Sequence, residues 1–167
     1  MNPLEPPASH HLNAALGWLG LGDPAEANRE LEQIPAELRM HPAVMAVRYD
    51  IHSQARHWEL AAEVAGALVA ATPDEPAGWI CLAYATRRKP GGNIPQAREI
   101  LTRAQARFPR HSLISFNLAC YECQLGNREW ARRWLKKAFA GDDAAEMKLM
   151  ALADPDLEPM WKEIGEM

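Results

Sequence analysis

Only three cysteines, Cys81, Cys120 and Cys123, occur in 167 residues. So few, and an odd number, exclude a disulfide framework. Apolar runs are short, far below the roughly 20 residues a membrane span needs. The opening MNPLEPPASHH has no cationic region followed by an apolar run. An export signal is therefore not expected, and the reducing cytoplasm is the expected compartment. Period-two alternation is also missing, with Val and Ile scattered, so strands are not expected. What remains is helical. With 48% hydrophobic and 24% charged residues, the composition is that of a globular protein, and one domain over 1–167 is expected.

The net charge of −4 conceals a division. Residues 1–86 carry four Lys/Arg against eleven Asp/Glu, and residues 87–137 carry twelve against three. Residues 138–167 return to two against eight. A basic middle between acidic flanks can mark a partner surface, or allow a homo-oligomer through opposite charges; solvated helix faces are the plainer reading.

Helix punctuation is clear. Asp23-Pro24-Ala25-Glu26 combines a cap, a proline in the first turn and an acid that can return a bond to the cap. Asn127 after Gly126 is a second expected start, with Gly141 as its stop. Lys89-Pro90-Gly91-Gly92-Asn93 must be a turn. The helices recur. Ala27, Ala61, Ala97 and Ala131 are 34, 36 and 34 residues apart, followed at four residues by Leu31, Ala65, Leu101 and Leu135. Ala15, Tyr49, Ala83 and Ala119 keep a similar interval in the preceding helices.

A period of 34 built from two helices resembles the tetratricopeptide repeat, or TPR. The resemblance is best in Asn117-Leu118-Ala119, Leu125-Gly126-Asn127, Ala131, Leu135 and Ala138. The second unit departs most, with Arg48 where Leu is expected and Arg56 where Gly usually sits. The implied fold is all-α, a right-handed solenoid of antiparallel helix pairs. Its units fall at about 8–41, 42–75, 76–111 and 112–145. No such unit buries its apolar face alone, so the last needs a cap. Residues 146–167 supply one, with Leu157, Met160, Trp161 and Ile164 covering the exposed end.

Chemistry is sparse. Cys120-x-x-Cys123 lies inside an expected helix, away from the strand-to-helix turn that activates redox thiols. It also lacks a second ligand pair for zinc. Small packing or groove residues is the preferred reading over metal or redox work. The six histidines form no nucleophile–base pattern and no HExxH. Gly91-Gly92 lacks the lysine of a phosphate loop. No catalytic residue, metal or cofactor is expected. Arg98, Arg103, Arg107 and Arg110, with Arg132, Arg133, Lys136 and Lys137, offer phosphate contacts, but the acidic chain and its packing-type aromatics make nucleic acid the weaker partner.

In TPR proteins the first helix of each unit lines a groove that receives a partner peptide or helix. Carried over, the resemblance implies Leu12, Leu16 and Leu19, then Ala46, Asp50 and Ser53. Ile80, Tyr84, Arg87 and Arg88 follow, and then Phe116, Cys120 and Cys123. Each position is alternatively covered by the chain itself or solvated. Leu12 and Leu16 stand where chaperone-binding TPR proteins carry Lys and Asn, so that carboxylate clamp is not expected. The implied function is a non-enzymatic adaptor, holding an apolar partner segment that bears acidic residues. The alternative is a dedicated chaperone of a secreted or assembling protein, like the small TPR chaperones of type III secretion.

Overall fold

The computed structural model describes residues 3–167, and among them only helices and turns occur. Eight α-helices come first in the chain: α1 (Ala8–Gly20), α2 (Pro24–Glu32), α3 (Pro42–Gln54), α4 (Trp58–Ala71), α5 (Pro76–Arg88), α6 (Ile94–Arg107), α7 (Ser112–Gln124) and α8 (Arg128–Ala138). Packed pairs form from α1 with α2, α3 with α4, and α7 with α8. α1, α3, α5 and α7 begin at residues 8, 42, 76 and 112, intervals of 34, 34 and 36. A tail follows: α9 (Ala144–Ala153), a 3-10 helix (Pro155–Met160) and α10 (Trp161–Glu166).

Three of the pairs turn in the same way. Asp23 N–H donates to the Trp18 carbonyl at 3.0 Å, His57 N–H to His52 at 2.8 Å, and Asn127 N–H to Glu122 at 2.8 Å. This is the six-residue closure that ties off a helix through a left-handed residue. That residue is Gly22, Arg56 or Gly126, with φ of 78°, 58° and 79°. Glycine adopts the conformation freely; Arg56 does so against its Cβ. The turn between α5 and α6 is longer by two residues and contains Pro90-Gly91-Gly92.

Caps fall partly where the sequence places them. Asp23 Oδ1 accepts from Glu26 N–H at 3.0 Å, whereas the Glu26 carboxylate turns away to Arg29. Asn127 precedes α8, but its side chain donates to Glu122 Oε2 at 2.7 Å instead of capping. The helix ends at Ala138, before Gly141.

The chain divides into two compact units, Met1–Gly91 and Gly92–Met167. In the first, α3 packs against both α1 and α5. Its core includes Ala15, Ala27, Leu31, Ile34 and Val44, all fully buried. A second cluster gathers Tyr49, Ala61, Ala62, Ala65 and Ala85. Small residues permit close approach: a Cβ added to Gly78 on α5 would lie 3.2 Å from the Val69 backbone nitrogen of α4. In the second unit, Ile114, Leu118 and Leu135 are fully buried together with Leu157, Met160 and Ile164 of the tail.

Candidate partner-binding faces

The two units treat the same helical face differently. In unit 1, α1 presents Leu12 half-buried and Leu16 46% exposed, while Leu19 is buried. On α3, Ala46 and Asp50 are exposed and Ser53 is half-buried. Burial nonetheless raises the Asp50 carboxyl above the ordinary Asp value, because the charged form loses solvation. On α5, Ile80, Arg87 and Arg88 are half-buried and Tyr84 is 37% exposed. Cys81 lies beneath this face, its thiol pushed up to about 11 by burial and then by the Asp50 charge. Tyr49, its hydrogen-bond neighbour, is also raised, again chiefly by burial.

One feature of this face was not visible in the sequence. Trp58, the first residue of α4, meets Tyr84 edge-on with ring centroids 5.8 Å apart. The Arg88 guanidinium lies 3.4 Å from the Tyr84 ring centroid and 5.5 Å from that of Trp58. Its Nη1 also donates to the Tyr84 carbonyl at 3.2 Å. Such stacking holds the cation in place while leaving its remaining N–H groups free to donate. Arg88 has no ion-pair partner among the described residues. It borders a pocket of about 510 Å³ lined with Trp58, Leu60, Arg56, His57, Glu59 and Pro90. Arg56, noted in the sequence only as a departure from Gly, is one wall of it.

In unit 2 the corresponding face is closed. Phe116, Cys120 and Cys123, expected as open groove residues, are only 4%, 2% and 7% exposed. The reason is the tail, whose 3-10 helix Pro155–Met160 packs against α7. Cys120 Sγ lies 3.6 Å from Asp154 Oδ2, and Gln124 Nε2 donates to the Asp156 carbonyl at 3.0 Å. Burial raises the Cys123 thiol. The tail thus covers this side of α7. Among the described residues no group of three or more His, Cys, Asp or Glu is arranged to hold a metal ion.

The basic residues of α8 are not equivalent. Arg132 is bonded to Glu163 of α10 and to Glu129, which raises its pKa and depresses that of Glu163. Arg133 and Lys137 instead lie over the Trp130 and Trp134 rings, at 4.7 and 5.2 Å.

Solved structures match this arrangement. A thermophilic TPR protein from Thermus thermophilus superposes with a TM-score of 0.70 at 21% identity, covering 96% of this chain and all of that one. The fold is TPR-like. A structure described as MamA MSR-1 C2 superposes at 0.62 with 19% identity, over 84% of this chain and 76% of that chain. No protein-family model matches the sequence, and no curated protein matches it. Among the described residues, no helix of this TPR-like chain is long and apolar enough to cross a membrane.

Proposed function

We propose that this chain is a non-catalytic protein-interaction module whose unit 1 holds a partner segment against α1, α3 and α5. The observation that carries the reading is Arg88, stacked on two aromatic rings, without an ion pair among the described residues, at a pocket where Trp58, Leu60 and Pro90 lie beside Arg56, His57 and Glu59. A guanidinium in that position can grip a carboxylate through two parallel bonds. Leu16, Ile80 and Tyr84 supply apolar surface on the same helices' partner-facing positions. The partner is accordingly an apolar segment with acidic residues. Its affinity falls with added salt, but only in part, because apolar contacts are not screened.

The test is quantitative affinity capture from the source organism, followed by titration of the captured partner. Arg88→Glu should weaken binding at least tenfold, on the order of the 1.5–3 kcal/mol of a hydrogen bond to a charged group. Arg133→Glu with Lys137→Glu on α8 should leave affinity within about twofold, as solvated surface charges do. These are cleaner controls than Arg132, whose substitution would also unpin Glu163. If the α8 pair abolishes binding and Arg88→Glu does not, the partner sits on α8 instead.

A further inference from the structure

The tail shows what kind of segment this helical face accepts. α5 and α7 are equivalent with an offset of 36 residues, so Ile80, Tyr84, Arg87 and Arg88 correspond to Phe116, Cys120, Cys123 and Gln124. On α7 those positions receive Asp154-Pro155-Asp156-Leu157-Glu158-Pro159-Met160. Leu157 and Met160, three residues apart, are its fully buried anchors. Asp154 points its carboxylate at Cys120 and also accepts from Asp156 N–H at 2.8 Å, which holds the segment in its 3-10 turn. An acidic, proline-bounded turn with two apolar anchors therefore fits against this face.

On α5 the corresponding donors are stronger. Tyr84, with its hydroxyl, has the register of Cys120 and its weakly donating thiol, and Arg88 has the register of Gln124, whose neutral amide donates to the backbone carbonyl of Asp156. Both bind a carboxylate better than the groups they replace. The pocket beside Arg88, with Trp58 and Leu60 in its wall, offers a place for an apolar anchor. Asp50 is the opposing charge on the same face, so the acidic end of a ligand belongs at Arg88, at the last residue of α5.

Resting on the proposed partner-binding role of unit 1, we infer that α5 binds in trans a segment of another protein resembling this chain's own tail. The segment is an internal acidic turn of the Asp-x-Asp-Leu-Glu-Pro-Met kind, with a carboxylate on Arg88 and an apolar anchor in the adjoining pocket. A free chain end is not part of the recognition.

A fluorescently labelled peptide, Ala-Asp-Pro-Asp-Leu-Glu-Pro-Met-Trp, capped at both ends, tests this against the full chain. Saturable one-to-one binding is expected, weakened tenfold or more by Arg88→Gln and by Tyr84→Ala in proteins whose circular dichroism is unchanged. Replacing the three peptide acids by their amides should weaken it similarly. Three results overturn the inference. The first is no saturable binding up to millimolar peptide. The second is binding that ignores both α5 substitutions and appears only when the chain is cut before Asp154, since the peptide is then merely replacing the tail on α7. The third is self-association of the full chain that Arg88→Gln abolishes, which gives the site to a second copy. Should the peptide fail while the captured partner still depends on Arg88, the ligand pattern is wrong and the interaction role of unit 1 stands.

Discussion

α5 and α7 occupy the same place in the 34- to 36-residue repeat, and the chain has dressed them differently. α7 offers Phe116, Cys120, Cys123 and Gln124, none of them charged; the first three lie buried under the tail and Gln124 donates to it. α5 offers Ile80, Tyr84, Arg87 and Arg88 at the matching positions, two of them cations. Burying the guanidinium of Arg88, which has no ion pair among the described residues, would cost several kcal/mol, whereas burying a thiol costs little. The difference teaches that in a helix-pair protein the groove side is set pair by pair. The face of α7 is closed by the chain itself, and that of α5 is open.

The largest effect expected is on the closed pair. Removing residues 154–167 bares α7 and discards three fully buried side chains, Leu157, Met160 and Ile164, apart from a trace of exposure at Met160. At about 1.5–3 kcal/mol for each buried side chain, the loss is several kcal/mol and approaches the stability of a small domain. Leu157→Ala alone should cost about 2–5 kcal/mol. Denaturant unfolding followed by circular dichroism checks both; an unchanged midpoint would mean that the tail is an ornament and α7 is as open as α5.

The next effect lies in unit 1. Arg56→Gly relieves a left-handed residue, and the stabilisation should be within about 1 kcal/mol, because glycine's greater freedom in the unfolded chain offsets part of the gain. The same substitution removes a wall of the pocket beside Arg88. A higher unfolding midpoint with weaker partner binding is the expected combination. A lower midpoint would show that the Arg56 side chain stabilises the fold more than its backbone strains it.

The smallest effect concerns how the tail is pinned. Hydrogen bonds from Arg132 hold the Glu163 carboxyl below its ordinary 4.5. A depressed carboxylate contributes stability above the unfolded value, and that contribution is lost as pH falls through the folded one. Hydrogen-exchange protection at α10, after division by the intrinsic exchange rate at each pH, should therefore be constant near neutrality and fall below pH 4.5, with Glu163→Gln removing the acid limb. An unaltered profile in that variant assigns the limb to another group.

The fold was legible from the sequence because its signal is local and repeated. Ala27, Ala61, Ala97 and Ala131 recur at the helix-pair period and all are fully buried. Gly22 and Gly126 mark two of the matching turns, and Arg56 could be recognised as the third only by its place in the series. The face residues were legible as positions but not as environments. Cys120 and Tyr84 have equivalent registers, and nothing local distinguishes them. The tail that covers Cys120 comes from 34 residues further along the chain. The Trp58–Tyr84–Arg88 stack joins two helices, with Trp58 at the first residue of its own, so no helical periodicity could reveal it.

The central claim is that equivalent positions on α5 and α7 are open and closed, and thiol labelling reads it most directly. Cys120 alone, with Cys81 and Cys123 replaced by Ala, is compared with Tyr84→Cys in a chain whose three native cysteines are Ala. Under native conditions residue 84 should react with a maleimide at close to the rate of the unfolded chain, and Cys120 at least a hundredfold more slowly. Truncation before Asp154, in a chain whose circular dichroism shows it still folded, should bring Cys120 toward the rate at 84. Equal rates at the two positions in the full chain, or a faster reaction at Cys120, would contradict the account.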